Sequence, residues 1–264
     1  MKEEIAAIEC DPSTLAGAVG TAALAAEGNE PHEEMFVRVN AGGVDTPASG
    51  TAASQTSFCT LHPSLFDTFR VFDEISALFP VAEILGWLEW LSPATTMRAT
   101  FLAEPGSALA AELRLSTARQ EVSLDCVDSP GLLEDVEIWL PDRFEGPHFL
   151  DESGKPVPTR IETTATELDQ VIGAVSRCRG EESYPLALED DELRFECSGE
   201  TARVSGTIDA DVEGPPFTAR YGPGFARVVR AIEGKVTLQT GPDQPLAIVS
   251  SQPGVTYRYV VFGQ

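Results

Sequence analysis

Thr166–Cys178 reads TELDQVIGAVSRC, and within it Leu168, Val171, Ile172 and Val175 fall at i, i+3, i+4 and i+7. That spacing puts one apolar stripe on one face of a helix, with Thr166 near its start. A short alternating run, Arg160–Thr164, precedes it, and Tyr184–Leu188, Glu192–Cys197 and Ala202–Ile208 follow as strands bounded by polar or Gly-containing turns. Pro223–Glu233 then reads as a second helix, because Pro in a first turn lacks only an N–H that the helix would not use. Lys235–Thr240, Leu246–Ser250 and Val255–Phe262 close the half as three strands.

The first half repeats this order. Glu4–Cys10 is a strand, and Ser13–Ala26 a helix with Leu15, Ala18, Val19 and Ala22 at the same spacing. Met35–Val39 and Ser57–Leu61 read as strands, Pro80–Leu91 as a helix, and Thr96–Leu102, Ala108–Leu115 and Glu121–Cys126 as the closing strands. Between the halves lies Pro147–Pro158, PHFLDESGKPVP, whose three prolines and mixed charges predict an extended connector. Two copies of strand, helix, strands, helix, strands imply a duplicated α+β domain, with helices on one face of antiparallel sheets. The division is 1–146, 147–158 and 159–264.

Charge narrows the function. The 264 residues hold 42 Asp and Glu against 18 Lys and Arg, a net of −24. Such a surface repels phosphate, and a chain rich in acids and poor in Lys suits a cytosol that holds molar salt. The burden is uneven: residues 1–150 carry 24 acidic and 7 basic side chains, and 151–264 carry 18 and 11. Met1–Cys10 holds three Glu and no long apolar run, and no stretch of ~18 apolar residues could span a bilayer, so a soluble, cytoplasmic protein without membrane attachment is expected.

Chemistry-bearing patterns are scarce. Cys10, Cys59, Cys126, Cys178 and Cys197 are odd in number with no C-x-x-C pair, which fits small buried residues better than disulfides or a zinc site. His32, His62 and His148 have no metal-ligand spacing, and Gly42-Gly43 and Gly222-Pro223-Gly224 are turn punctuation, not a phosphate loop. Glu189-Asp190-Asp191-Glu192 lacks the glycine and the bidentate Glu of a calcium loop and reads as a hairpin turn. Trp87 and Trp90, with Ile84, Leu88 and Leu91, read as core packing rather than a base-stacking platform. No enzyme, cofactor or metal is expected. Basic residues are the informative minority: Arg177 and Arg179 end one helix of the second half, and Arg227 and Arg230 stand at i, i+3 on the other.

These residues carry a resemblance. Thr166–Cys178, LRFECSGETARVSGTI (Leu193–Ile208), ARYGPGFARVVRAI (Ala219–Ile232), QPLAIVSS (Gln244–Ser251) and VTYRYVVFG (Val255–Gly263) resemble the second domain of an archaeal sliding clamp of the proliferating cell nuclear antigen family. The first half, diverged, resembles it through element order and FVRVNAGGVDTPAS (Phe36–Ser49). With the salt-adapted composition, a haloarchaeon or a virus of one is the expected source.

The resemblance implies a ring-forming DNA-clamp fold: a homotrimer of two-domain subunits, helices lining a hole for duplex DNA. It implies a non-catalytic processivity factor that encircles DNA without reading sequence. Polymerase, clamp loader, nuclease or ligase would be tethered through short peptide motifs. Carried over, the DNA contacts are Arg177, Arg179, Arg227 and Arg230, and the partner-peptide pocket is Val44, Phe149, Leu150, Pro245 and Val261. The subunit interface pairs Ala108–Leu115, through Ala111, Leu113 and Leu115, with Thr201–Ile208, through Ala202, Val204 and Ile208. Two features depart from the family: Tyr259-Val260-Val261-Phe262 stands where an Ala-Pro pair is usual, and the helix at Ser13–Ala26 has no basic residue. The first bears on the specificity of the pocket; the missing lining Arg or Lys, with the looser first half, favours the alternative, a clamp-shaped structural or regulatory paralogue, virus-encoded or virion-associated, that does not encircle DNA.

Overall fold

The computed structural model describes residues 2–23, 34–49, 55–126, 143–179, 183–242 and 244–263. In the first half, β1 (Glu3–Cys10) leads into α1 (Pro12–Ala23), then β2 (Glu34–Asn40), β3 (Gly43–Ser49) and β4 (Gln55–Leu61). A single 3-10 turn precedes β5 (Thr68–Val71) and β6 (Ile75–Pro80); α2 (Val81–Leu91), β7 (Met97–Ala103), β8 (Ala110–Ser116) and β9 (Glu121–Asp125) follow. A small hairpin, β10 (Phe144–Glu145) and β11 (His148–Phe149), leads to the second half. That half runs β12 (Thr159–Thr164), α3 (Ala165–Arg179), β13 (Tyr184–Glu189), β14 (Glu192–Ser198), β15 (Arg203–Ile208), β16 (Asp211–Glu213) and β17 (Phe217–Tyr221). It ends with α4 (Pro223–Ala231), β18 (Lys235–Thr240), β19 (Leu246–Gln252) and β20 (Val255–Val261). The end of the expected first helix, 24–26, lies outside the described residues. No helix among the described residues is long and apolar enough to cross a membrane.

The duplication extends to strand pairing. One sheet of the first half has the order β5-β1-β7-β8-β9, and the equivalent elements of the second half run β16-β12-β18-β19-β20. Likewise β4-β3-β2-β6 is matched by β15-β14-β13-β17. The halves fuse where β20 pairs antiparallel with β4, from Val255↔Leu61 to Val261↔Gln55, which makes a nine-stranded sheet.

Capping sets the starts of α1 and α3 one residue earlier than the expected Ser13 and Thr166. Asp11 takes the Ser13 backbone N–H at 2.7 Å, with Pro12 in the first position, and the Thr164 hydroxyl takes that of Glu167 at 3.2 Å. Leu168, Val171, Ile172 and Val175 are all buried, as are Leu15, Ala18 and Val19. On α2 the stripe is narrower than read from sequence: Ile84, Leu88 and Leu91 are buried, but Trp90 is 47% exposed and only meets Trp87 edge-on at 5.7 Å. The hairpin reading of Glu189–Glu192 holds, with Asp190 and Asp191 at φ 52° and 61° in the turn between β13 and β14.

The connector departs from its expected extended form. Phe144↔Phe149 and Glu145↔His148 pair as a hairpin, and the Asp151 carboxylate closes the next turn by accepting the backbone N–H groups of Ser153 and Lys155 at 2.8 and 3.0 Å. An acidic side chain that satisfies local N–H groups folds the chain back where composition alone suggests extension.

Candidate functional site

The two sides of the nine-stranded sheet differ in what covers them. Tyr259 points to the helices, donating its hydroxyl to the Thr21 carbonyl of α1 at 3.0 Å. Val260, next along β20, points the other way and packs with Phe149, Val157, Phe58 and Ala247 under the connector. The helix side also holds Val44, Cys59, Leu61, Tyr257 and Val261 in the main core. There burial pushes the Cys10 and Cys59 thiols up to about 12, so neither is a nucleophile.

Helix α1 packs on α2, and α3 on α4. Their charges cancel: α1 has none, α2 has Glu83 and Glu89, α3 has Glu167, Asp169, Arg177 and Arg179, and α4 has Arg227 and Arg230. The four helices among the described residues thus carry zero net charge in a chain of −24. Of the expected phosphate contacts, Arg177 is exposed and has no ion pair among the described residues. Arg230 is exposed but faces Asp169 of α3, Nε to Oδ1 3.7 Å, and Arg227 is half-buried. The Arg179 side chain lies outside the described residues.

The expected partner pocket divides between the two faces. Phe149 is buried under the connector, 1% exposed, and is not an exposed aromatic; Leu150 and Pro245 are half-buried. Val44 and Val261 are buried on the helix side, so they do not meet Phe149 on one surface. The reason is register: a step of one residue along a strand reverses the face, and it is Val260 and Phe262 that reach the connector side. Sequence reasoning missed Gln239 on β18. This buried amide accepts from the Phe149 N–H at 2.8 Å and donates to the Pro147 carbonyl at 2.7 Å, which holds the connector to the sheet. A lone amide within the strand KVTLQT was its only signal.

Charged side chains mark the same outer face. Arg258 lies 5.7 Å from the Phe58 and Phe144 ring centroids, and Arg143 lies 5.0 Å from that of Phe149. Asp45 accepts from Asn40 at 3.2 Å and meets Arg38 at 3.6 Å.

The edges correct the expected interface. β8 cannot be a free edge, because β7 pairs along one side of it and β9 along the other. Leu113 and Leu115 are therefore buried within the subunit, and Ala111 is half-buried beside Cys126, whose N–H its carbonyl accepts at 3.2 Å. At that end of the sheet the edge strand is β9, with no further strand beside it among the described residues and with Val122 and Leu124 opposite Leu115 and Leu113. β15 is the edge of its own sheet, with Ile208 buried, Val204 half-buried and Ala202 exposed just before it.

No protein-family profile and no curated protein matches the chain. Solved structures do, along the whole length. The PCNA of A. fulgidus, solved with the C-terminal region of FEN-1, superposes with a TM-score of 0.74 at 12% identity, covering 98% of each chain. The PCNA of Thermococcus kodakaraensis gives 0.71 at 15% identity, with 98% of this chain and 100% of that one covered. The PCNA of Entamoeba histolytica gives 0.72 at 10%, with coverage of 99% and 100%. The fold is that of the two-domain clamps of the proliferating cell nuclear antigen type.

Proposed function

We propose that the chain is a sliding clamp: a non-catalytic processivity factor that closes as a homotrimer around duplex DNA and tethers DNA-processing enzymes. Its domains are 1–146 and 159–264, joined by the connector 147–158. One observation carries the reading. Inside the chain, β20 of the second half pairs with β4 of the first; the equivalents of those two strands are β9 and β15, and both are unpaired edges among the described residues. Repeating the internal seam between chains pairs β9 of one subunit with β15 of the next, and three two-domain chains close a ring with sixfold pseudosymmetry. Half-buried Val122 on β9 and Val204 on β15 are the apolar side chains available to that junction.

The uncharged balance of the four helices supports a channel that phosphate can enter without sequence readout, with Arg177, Arg179, Arg227 and Arg230 as its cations. The C-terminal region of FEN-1 bound to the A. fulgidus clamp supports docking of partner peptides, and the connector side is our assignment for it. Here that surface is formed by Leu150, Pro245 and Phe262 around buried Phe149 and Val260.

Light scattering in molar KCl should give three times the chain mass for the native protein, and the monomer for Val122→Pro or Val204→Pro, since Pro cannot extend a ladder. Loaded on a nicked circular duplex, the native protein should stay until the circle is cut, then slide off. Dissociation equally fast from closed and cut DNA would refute encirclement.

A further inference from the structure

We infer that the outer face beside the connector recognises an acidic side chain of the docked partner segment through Arg258 and Arg143. The inference rests on the docking role proposed above and adds the chemistry of what docks. It starts from an imbalance. In a chain with 42 carboxylates and 18 cations, an arginine should find a partner easily, and Arg98, Arg114, Arg160, Arg194 and Arg203 each do. Among the described residues Arg258 and Arg143 have no carboxylate in ion-pair reach; the same is true of Arg70, Arg119, Arg177 and Arg220, but those four are exposed and these two are half-buried.

Both guanidinium groups lie instead on aromatic rings of a single patch. Arg258 lies on Phe58 and Phe144, the Phe144 and Phe149 rings are 5.2 Å apart, and Arg143 covers Phe149, so the patch is one continuous run of three rings carrying two cations. Arg258 donates one bond, to the Thr60 hydroxyl at 3.2 Å, and its buried Nε has no hydrogen-bond partner. Arg143 donates Nε to the Leu150 carbonyl at 3.0 Å. The adjacent Asp45 is already shared between Arg38 and Asn40. Asp45 acts on Arg258 only from beyond ion-pair distance, so this half-buried cation is left short of counter-charge, and the cost is recovered when a carboxylate arrives from outside. Half-buried Phe144 and Phe262 beside the arginines offer apolar contact to the same segment. The occupant is therefore a peptide with an apolar or aromatic core and a flanking Asp or Glu.

The test is an array of short peptides with an apolar-aromatic core and Glu, Gln or Lys at each flanking position, probed with the full chain at two salt concentrations. At one flanking position Glu should bind about tenfold tighter than Lys, and the preference should shrink as salt rises. Arg258→Gln should abolish the preference while Gln peptides still bind. If that variant melts poorly, Arg143→Glu, on a half-exposed stack, decides alone by turning the preference towards Lys. Equal binding of Glu and Lys peptides by the native chain, with Gln peptides bound, would overturn the acidic recognition and leave docking intact. Binding of no peptide at all would overturn both.

Discussion

The Tyr259 hydroxyl, on the last strand of the second half, donates to the Thr21 carbonyl in the last turn of the first half's α1, at 3.0 Å. This bond ties the last strand of the second half to the first helix of the first. Burial holds the Tyr259 phenol well above its ordinary range, so it stays a donor. Tyr259→Phe should therefore cost about 1 kcal/mol with the fold unchanged, read as a lower midpoint in denaturant. An unchanged midpoint would show that water replaces the phenol at no cost.

Phe149 is the connector's anchor. Replacing it by Ala empties the space between Phe58, Val157, Ala247 and Val260 and should cost about 3 kcal/mol, within the range for a buried Phe. The loss should concentrate locally, as faster proteolysis between Pro147 and Pro158, while light scattering still reports the native mass. Gln239→Leu should speed the same cleavage, because it removes both hydrogen bonds that hold the segment.

Acid should reveal the cluster at Glu112. Lys2 donates to one of its oxygens at 3.0 Å and Arg114 to the other at 2.9 Å; the Lys2 hydrogen bond is the main cause that holds this carboxyl down to about 2. The folded state thus binds its proton less readily than the unfolded chain does. Its stabilisation is complete above the ordinary value of 4.5 and is lost as pH falls towards about 2. Glu112→Gln should melt below the native protein at pH 7, and the gap should close as the pH falls to about 2.

The turn between β13 and β14 places two aspartates in the left-handed region, which L side chains adopt at a cost. Asp191→Gly should stabilise the protein by up to about 1 kcal/mol, since glycine takes such a turn position without strain. Thermal melting checks it, and a fall in melting temperature would mean that Asp191 has a compensating contact.

Changing Arg177, Arg179, Arg227 and Arg230 together to Ser leaves the helices with a net of −4, from Glu83, Glu89, Glu167 and Asp169. Single-molecule tracking on duplex DNA in molar KCl should then show faster diffusion and poorer loading, with retention on closed circles largely kept. Diffusion and loading identical to the native protein would remove these arginines from the DNA path.

The duplicated order of strands and helices was legible in the sequence because an amphipathic stripe such as Leu168, Val171, Ile172 and Val175 is a local pattern with one physical solution, burial of one face. The strands β3, β5, β6, β16 and β17 were not: β3 contains Gly43 and Pro47, and β6, ISALFP, is apolar on both faces and so has no alternation to read. Which of two alternating strands is an edge was likewise out of reach, since β8 lies between its sequence neighbours β7 and β9 while β9 pairs, among the described residues, with β8 alone, and strand pattern does not encode sheet order. Only the tertiary structure decided that Val260 rather than Val261 meets the connector. Consecutive apolar residues in Tyr259-Val260-Val261-Phe262 leave the facing open, and it is the pairing of β20 with β4, from almost two hundred positions earlier, that settles the register.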